Sequence, residues 1–273
     1  MSDQIRMSRR AVLGSASATL FLMGNAKGLE AAKLRRGETG RVKRVIDGDS
    51  FVMESGGEEI SVRLSAIQTP RIRLKSEQAW PFSAESKAAL ETLISGRGVT
   101  LHYGETKRDR FGRAIAQVYS VNSDGQTDLW IQEEMVRLGL ARVYSWPGDN
   151  ADMEALYRWE TEARETQRGI WAHEFYGVRR PDPDPLAQYV DSVQIVEGII
   201  TSTADVRGRV YLNFGADYKT DFTIAIARKN RRAFEGLDPV SLAGARVRVR
   251  GWVELINGPM IWVDHPERLE ILS

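Results

Sequence analysis

Arginine offers the clearest chemistry in this sequence, and two arginines, Arg63 and Arg71, bracket one stretch of it. A guanidinium group matches two oxygens of a phosphate or carboxylate at once and stays charged at physiological pH. Residues 60–65 alternate apolar and polar side chains, which predicts a strand with one buried face. Thr69-Pro70 ends that strand, because proline has no N–H and holds the preceding residue extended. A strand that ends in a rigid corner holds both arginines at fixed places.

Two further segments with charged side chains flank this stretch, at residues 45–52 and 108–114. The chain has no cysteine, which excludes disulfides, thiolate metal sites and a cysteine nucleophile. Its three histidines are widely separated, so we predict no histidine-rich zinc site. The formal net charge is +1, from 38 basic and 37 acidic residues. Any polyanionic partner must therefore be recognised by local charge.

The elements that must position these segments form a mainly β region with helices. Strand patterns cover residues 41–46, 50–54, 59–65, 99–104 and 114–121, and helical patterns cover residues 81–94, 128–138 and 151–167. Residues 66–80 show no periodicity and are predicted to form a loop. This element order suits a small closed or nearly closed barrel better than a parallel α/β sheet. We place this domain at residues 41–176.

A second β-rich domain is predicted after a proline-rich boundary. Pro181, Pro183 and Pro185 alternate with aspartates, which is typical of a stiff, extended linker, here residues 177–189. Candidate strands beyond it cover residues 192–201, 209–214, 222–227, 245–254 and 260–263, with a short helix near residues 231–235. Five strands predict a second small barrel over residues 190–273. The predicted fold class is mainly β with helices (α+β).

Residues 1–26 have the features of an export signal. Residues 8–13, Ser-Arg-Arg-Ala-Val-Leu, form a twin-arginine motif. The weakly apolar run that follows is shorter than the roughly 20 residues of a membrane-spanning helix, and small residues before position 27 suit cleavage. We predict a periplasmic or secreted protein without stable membrane insertion after cleavage, with residues 27–40 as a lead-in. The alternatives are a disordered basic tail or an uncleaved anchor.

With these segments in view, residues 41 to about 172 resemble the staphylococcal nuclease (thermonuclease) family. The resemblance is carried, in order, by Val45-Ile-Asp-Gly-Asp-Ser, Arg63-Leu-(x)-Ala-Ile-(x)-Thr-Pro, Asp109-Arg-Phe-Gly-Arg-Ala-Ile-Ala and Leu138-Gly-Leu-Ala. Four ordered motifs make a specific match, whereas none of them does alone. The resemblance implies a five-stranded OB barrel with three helices, and a calcium-dependent phosphodiesterase that cleaves DNA and RNA.

The resemblance also implies roles for individual residues. Arg63 and Arg113 match the family's two catalytic arginines, which stabilise the negative charge that grows on the phosphate oxygens. Asp49 matches the first metal-binding aspartate, and Thr69 matches the threonine whose carbonyl binds calcium. A base for the attacking water completes the requirements of the reaction.

Two positions depart from the family's pattern. The second calcium-binding aspartate falls at Gln68, and the glutamate base falls at Arg71. Calcium prefers about six to eight oxygens with several carboxylates, so we expect the affinity for calcium to drop sharply. Loss of a positioned base costs about 10²–10⁴ in rate. Arginine cannot replace the base, because its pKa stays above about 12.

The altered site permits three interpretations. In the first, Arg63, Arg71 and Arg113 converge in a cationic pocket that holds a phosphate without metal. In the second, Arg71 pairs with Asp49 and leaves an inert relic. In the third, the loop supplies a substitute base, for which Glu77 is the nearest candidate.

Other residues near the motifs are assigned to structure rather than chemistry. Asp109 is expected to fix the turn that presents Arg113. Tyr144, Trp146 and Tyr157 are expected to be core or lid residues rather than platforms for bases.

The second domain resembles nucleic-acid-binding OB modules, on residues 196–198 and 242–251. That likeness implies a stacking and cationic face for single-stranded DNA or RNA. The face is assigned to Tyr211, Phe214, Arg248, Trp252 and Trp262. The alternative is that the arginines of residues 246–250 are the solvated outside of a barrel.

Three functions are consistent with these patterns. The first is an exported nuclease that hydrolyses phosphodiesters in nucleic acid with weak or altered metal dependence. The second is a catalytically inactive homologue that binds nucleic acid or another phosphorylated ligand. The third is a periplasmic protein-interaction scaffold of two OB barrels. Fold analogy alone does not choose between them.

Overall fold

The computed structural model describes residues 34–71, 79–122, 124–149 and 151–272, which form two β-rich units. The predicted fold class, mainly β with helices, is confirmed. No helix within these ranges is long and apolar enough to cross a membrane. The predicted export signal at residues 1–26 lies outside the described residues.

The first unit is built on a ring of strand pairings. Its strands are β1 (Arg35–Asp47), β2 (Ser50–Ser55), β3 (Glu58–Leu64), β4 (Ile67–Gln68), β5 (Gly98–Tyr103), β6 (Ala114–Val121), β7 (Thr127–Trp130) and β8 (Arg142–Val143). β1 pairs with β2 and β5, β2 with β3, and β5 with β6, all antiparallel. The parallel pair of β3 and β6 closes the ring. β7 extends the sheet beside β6, and β4 pairs with β8.

Side-chain alternation on β3 places the core inside this ring. Val62 and Leu64 are buried in the core, whereas Ser61 and Arg63 remain partly exposed. Successive side chains of a strand point to opposite faces, so the buried residues anchor β3 while Arg63 stays on the outside. Burial of the apolar residues is the main favourable contribution to the stability of this unit.

Three helices cover the first unit: α1 (Ser83–Ile94), α2 (Ile131–Arg137) and α3 (Met153–Glu165). The helix predicted over residues 128–138 begins later, because residues 127–130 pair with β6 as β7. Gln132 on α2 is buried, accepts a hydrogen bond from the N–H of Val118 at 3.0 Å and donates to the carbonyl of Ala116 at 2.9 Å. These bonds fix α2 against β6.

The segment between the two units contains short helices. 3₁₀ turns at Gly169–Ala172 and Glu174–Tyr176 follow α3, and Pro183–Ala187 forms the short helix α4. The predicted extended conformation is therefore not found at Pro183–Ala187. Proline suits the first helical position, because the N–H that it lacks has no partner there. Leu186 is buried with the core of the second unit, which holds α4 in place.

The second unit is also a ring of strand pairings. Its strands are β9 (Val193–Ile199), β10 (Ser202–Val206), β11 (Arg209–Asn213), β12 (Thr223–Ile226), β13 (Arg246–Ile256), β14 (Gly258–Val263) and β15 (Leu269–Leu272). β9 leads directly into β10; β9 pairs with β13 and β10 with β11. β11 pairs with β12, β12 runs parallel to β14, and β14 returns to β13. β15 lies beside the first half of β13.

The five strands predicted for this unit are all present, and β10 and β15 are additional. β10 has a mostly polar sequence at the edge of the sheet, which gave no strand signal. The short helix predicted near residues 231–235 is a 3₁₀ helix at Arg228–Phe234. Further 3₁₀ turns lie at Pro239–Leu242 and Pro266–Arg268.

A buried ionic cluster joins the two units. Arg250 on β13 donates to Glu160 on α3 at 3.0 Å and to Glu270 on β15 at 2.5 Å. Its guanidinium also donates to the carbonyl of Val143 at 2.9 Å and lies 4.5 Å from the ring centre of Tyr157. Desolvation of such charges is compensated only when every partner is in place. The cluster therefore defines one specific docking of the two units.

Arg268 and His265 extend this interface. Arg268 donates to the carbonyl of Ser145 at 3.1 Å. The hydroxyl of Ser145 lies 2.7 Å from Nε2 of His265, and Asp264 lies 2.6 Å from Nδ1 of the same ring. All of these contacts except the last cross from one unit to the other.

Candidate active site

Arg63 and Asp49 meet where β2 begins and β3 ends. Ser50, which follows Asp49, is the register partner of Arg63. Nη2 of Arg63 lies 3.6 Å from Oδ2 of Asp49, and the Arg63 side chain is 14% exposed. A guanidinium has five N–H donors, so this one contact does not saturate Arg63. Donors remain for the oxygens of a ligand.

A second carboxylate, Asp47, shares the turn with Asp49. Oδ1 of Asp47 accepts hydrogen bonds from the N–H of Asp49 at 3.2 Å and from the hydroxyl of Ser50 at 2.5 Å. Burial and the nearby charge of Asp49 raise the pKa of Asp47. The sequence motifs assigned a role to Asp49 and none to Asp47, so this second carboxylate was missed. The Asp-x-Asp spacing at the turn was the available signal.

Arg113 is held by Asp109. Nε and Nη2 of Arg113 each lie 2.7 Å from Oδ2 of Asp109, and Oδ1 accepts from the N–H groups of Phe111 and Arg113. Partial burial opposes ionisation of Asp109, but these hydrogen bonds outweigh it and lower the pKa of the carboxyl group. Asp109 therefore fixes the turn that carries Arg113.

The parallel pairing of β3 and β6 puts both arginines on one face. Arg63 is the register partner of Ile115, and Arg113 lies two residues before Ile115. Residues two apart in a strand share a face, so extension of the β6 register by one residue to Arg113 places both side chains on the outer face. The Arg113 side chain is 28% exposed. An anion outside the ring can therefore reach both guanidinium groups.

Gln68 and Thr69 are buried in the corner that follows β3. Oε1 of Gln68 accepts a hydrogen bond from Nη2 of Arg142 at 2.7 Å, and Arg142 also donates to the carbonyl of Val193 in the second unit at 3.2 Å. The side-chain oxygen of Gln68 is thus already bonded to the guanidinium of Arg142. A Cβ at Gly48 would clash with the side chain of Ser86 on α1 and lie 2.9 Å from Oγ1 of Thr69, so the close packing of this turn against α1 and the corner requires glycine.

Arg71 is exposed just after Pro70. Its carbonyl accepts the N–H of Trp80 at 3.1 Å, and its guanidinium forms no ion pair with any residue that the structure describes. Asp49 pairs with Arg63 instead, so the interpretation in which Arg71 neutralises Asp49 is not observed. Glu77, the candidate substitute base, lies in residues 72–78, outside the described ranges.

The described residues do not offer the donor set of a usual calcium site. Calcium takes about six to eight oxygens, several of them from carboxylates. Across the described ranges, no group of three or more acidic, histidine or cysteine side chains is arranged to hold a metal ion. Asp47 and Asp49 supply two carboxylates, while the oxygen of Gln68 is bonded to Arg142. These residues do not fit calcium.

The aromatic residues around β8 and α3 mostly lie under the second unit. Tyr144 and Tyr157 are buried, and the guanidinium of Arg268 lies 4.6 Å from the ring centre of Tyr144 and 5.6 Å from that of Trp146. Trp146 is 42% exposed. Tyr144 and Tyr157 therefore have the expected core role, and of these three residues Trp146 is the one that a base can reach.

The second unit separates the residues assigned to its nucleic-acid face. Arg248 is 13% exposed; it lies 2.7 Å from Glu197 and 3.4 Å from Glu270. It is therefore a structural cation rather than a free one, because its charge is compensated on both sides. Phe214 packs against Phe222 at the margin of the core, with ring centres 5.1 Å apart.

Tyr211, Trp262 and Trp252 fall on one row of the outer face. Ala225 on β12 is the register partner of Tyr211 on one side and of Trp262 on the other. Extension of the β13–β14 register by one residue puts Trp252 opposite Trp262. Trp252 is 46% exposed, and the other two rings are half-buried. Bases stack on aromatic rings arranged in this way.

Comparison with known proteins agrees with the geometry of the first unit. The family model described as staphylococcal nuclease homologue matches residues 61–173. An uncharacterized endonuclease of Escherichia coli O157:H7 is 30% identical over 151 residues, which are 55% of this chain and 82% of that protein. The chain belongs to the staphylococcal nuclease family. The family resemblance inferred from the four motifs is thereby confirmed.

Other members of the staphylococcal nuclease family show similar agreement. A thermonuclease of Staphylococcus intermedius is 28% identical over 141 residues, which cover 50% of this chain and 77% of that protein. A micrococcal nuclease of Shigella flexneri is 34% identical over 136 residues, which cover 49% and 73%. The family match ends at residue 173, before β9 begins. We call the first unit the nuclease unit and the second the C-terminal unit.

Proposed function

We propose that this protein acts on nucleic acid at the outer face of β3 and β6, where it hydrolyses phosphodiester bonds with weak or altered metal dependence. The observation that carries the proposal is the placement of Arg63 and Arg113 on one face, with Asp49 beside Arg63. Family membership and the names of three relatives, all nucleases, support a nucleic-acid substrate.

The two arginines bind and stabilise the phosphate in this proposal. Each guanidinium matches two phosphate oxygens, and its positive charge stabilises the negative charge that develops in the transition state. Asp109 orients Arg113 before substrate arrives, which limits the reorganisation that binding requires. The attacking water must also lose a proton, and the carboxylates of Asp47 and Asp49 are the described acceptors at this turn.

A second candidate function is binding without hydrolysis. It is favoured by Gln68, whose oxygen is bonded to Arg142, and by Arg71, which stands where the family has a base. A cationic face that lacks the family's glutamate base and a full set of calcium ligands binds a phosphodiester and leaves it intact.

The deciding experiment incubates the mature protein with single-stranded DNA and RNA, with and without calcium, beside Arg113→Ala. Arg110→Ala is the matched control, because it removes an equal charge from the same turn while Asp109 keeps Arg113 in place. Cleavage that disappears only in Arg113→Ala supports hydrolysis. Salt-sensitive binding without cleavage supports the second function. If the protein neither binds nor cleaves nucleic acid, both proposals are contradicted and the protein-interaction scaffold remains.

We also infer that the C-terminal unit is an OB-type barrel that prefers single strands. The ring of five pairings with one parallel pair supports the barrel. The row of Tyr211, Trp262 and Trp252 supports stacking, which is worth about 1–3 kcal/mol per base. Trp262→Ala should weaken binding of single-stranded but not double-stranded DNA; an equal loss for both would contradict the preference.

Export by the twin-arginine route is our proposal for the location of the protein, in the periplasm or outside the cell. The motif at residues 8–13 supports it. Replacement of Arg9 and Arg10 by lysine should retain the protein in the cytoplasm, as measured by cell fractionation. Undiminished export of that variant would contradict the proposal.

A further inference from the structure

One end of the C-terminal unit concentrates positive charge. Residues 205–209 and 228–235 contain six basic and two acidic residues, a formal net charge of +4, whereas the whole chain carries +1. Five of the basic side chains are exposed, and we call them the basic tip: Arg207, Arg209, Arg228, Lys229 and Arg232. Local charge of this density is the feature by which polyanions are recognised.

The basic tip is formed by two segments in contact. Arg207 and Gly208 make the two-residue turn between β10 and β11, in which Val206 pairs with Arg209. Arg228 begins the 3₁₀ helix that follows β12. A Cβ at Gly208 would lie 3.1 Å from Cγ of Arg228, so the turn and the helix touch. Residues far apart in sequence thus present their charges on one surface.

Most of this charge is uncompensated. Within the described ranges, Arg207, Arg209, Arg228 and Lys229 have no acidic group within 4.0 Å, whereas Arg231 pairs with Asp205 and Arg232 with Glu235. The arginines of β13 differ, because each of Arg246, Arg248 and Arg250 contacts at least one glutamate. The same unit therefore contains structural arginines and free ones, and the free ones lie at the basic tip.

Arg207 adopts a backbone conformation that its side chain does not favour. Its φ is 54° and that of Gly208 is 82°, the pattern of a type I′ turn, in which asparagine or glycine is preferred at the first position. The two-residue turn leaves the exposed side chain of Arg207 at the end of the hairpin, where a ligand can reach it.

The basic tip continues into the aromatic row. Arg209 and Tyr211 are two residues apart on β11, so their side chains share the outer face. Tyr211 leads through Ala225 to Trp262. A single strand that runs from the basic tip along β11 to Tyr211 and then crosses the sheet would have phosphates at the basic tip and bases over the rings. Sequence-independent binders of single strands use this combination.

We propose that the basic tip binds the phosphodiester backbone of single-stranded nucleic acid, as a second contact beyond the nuclease unit. The inference rests on the proposed nucleic-acid substrate and not on its cleavage. The ligand is recognised by phosphate charge and spacing, so the contact is independent of base sequence.

The test measures binding of the full chain to labelled oligothymidine in chelator, at a series of salt concentrations. The tip variant carries Arg207→Gln, Arg228→Gln and Lys229→Gln. The control variant carries Lys43→Gln, Arg44→Gln and Arg180→Gln, which removes the same charge from exposed positions that are paired with acids. Thermal unfolding of both variants verifies that they fold.

The tip variant is expected to bind about ten-fold or more weakly at low salt, with a salt slope shallower by about 2, because each lost phosphate contact removes about 0.7 from the slope. The control variant should keep the parent slope. Equal slopes for the two variants would overturn the inference. Binding of the parent to phosphatidylserine vesicles but not to oligothymidine would overturn it as well.

A third variant, Arg63→Ala with Arg113→Ala, separates this inference from the proposed function. Loss of binding in that variant alone would refute the basic tip and leave the nuclease-unit site standing. Loss in the tip variant alone would support the basic tip and refute phosphate binding at Arg63 and Arg113. Partial loss in each supports both.

Discussion

The two units share one order of strand pairing but carry different side chains at the parallel strand pair that closes each ring, which we call the joint. Each ring closes through a parallel pair, β3 with β6 in the nuclease unit and β12 with β14 in the C-terminal unit. The residues that face away from the core at the first parallel pair are Arg63 and Ile115, with Arg113 just before. At the second they are Ala225, which is buried, and Trp262, which is half-buried. The side chains rather than the strand order therefore decide whether the joint presents guanidinium groups, which suit phosphate, or an aromatic ring, which suits bases.

The units also differ in how they use arginine. Arg63 and Arg113 each contact one carboxylate and stay partly exposed. On β13, Arg250 is buried between two glutamates. A guanidinium with several acidic partners fixes a structure, whereas one with a single partner and open donors can bind a ligand.

The largest expected effect comes from the buried cluster that joins the units. Glu160→Gln leaves Arg250 with one of its two carboxylates and should lower the free energy of unfolding by about 3–5 kcal/mol, the usual effect of breaking a buried pair. Urea unfolding followed by circular dichroism measures it. Glu162→Gln is the control, since Glu162 is exposed on the same helix, and should change stability by less than about 1 kcal/mol. Equal effects of the two would contradict the importance of the cluster.

The next effect contrasts the two joints directly. Arg113→Ala should lower the cleavage rate by about 10²–10³, the usual effect of removing one donor that stabilises transition-state charge. Trp262→Ala should leave the rate at saturating substrate unchanged and weaken only binding. Single-turnover cleavage assays beside a binding titration measure both. A slower chemical step in Trp262→Ala would contradict this assignment of catalysis to the first joint and binding to the second.

A smaller gain is expected when the family's acidic residues are restored. Gln68→Asp with Arg71→Glu should increase calcium-dependent cleavage by about 10², the lower range for a positioned base. Because Arg142 contacts position 68, addition of Arg142→Gln should free the new carboxylate and raise calcium affinity further. Gln68→Asn with Arg71→Gln is the uncharged control. A folded but calcium-insensitive double variant would mean that these positions do not correspond to those of the family.

The smallest effect concerns Asp47. Its raised pKa means that the folded state holds the proton more tightly than the unfolded state, so its contribution to stability is lost as pH rises through the folded pKa. Asp47→Asn removes the charge and keeps the acceptor for Ser50. It should stabilise the protein by up to about 1 kcal/mol at neutral pH and by less at acid pH, where Asp47 is already protonated. Urea unfolding at both pH values checks this; destabilisation at both would contradict it.

Local patterns predicted most of the strands of both units. β6 occupies the predicted residues 114–121; its even-numbered side chains are buried, and the others are partly exposed except for Gln117. β7 was not predicted, because its four residues run directly into α2 and share the apolar pattern of that helix. The polar edge strand β10 gave no periodic signal at all.

Partners that are distant in sequence were not predictable from local pattern. Gln68 and Arg142 are 74 residues apart, and Arg250 and Glu160 are 90 residues apart. Alternation on β13 indicated which way its arginines point, but it carries no information about which glutamates they meet. The motifs allowed Arg63 and Arg113 to be chosen, whereas the partner of Gln68 follows only from the pairing of β4 with β8.

The cluster around Arg250 also makes the packing of α3 depend on strands that lie much later in the chain. Glu160 precedes Arg250 by 90 residues, and its ion pair within the nuclease unit is with Arg164, at 3.9 Å. A buried carboxylate is costly without its full set of partners. We therefore expect a nuclease unit prepared without β13 and β15 to hold α3 less firmly than the full chain does.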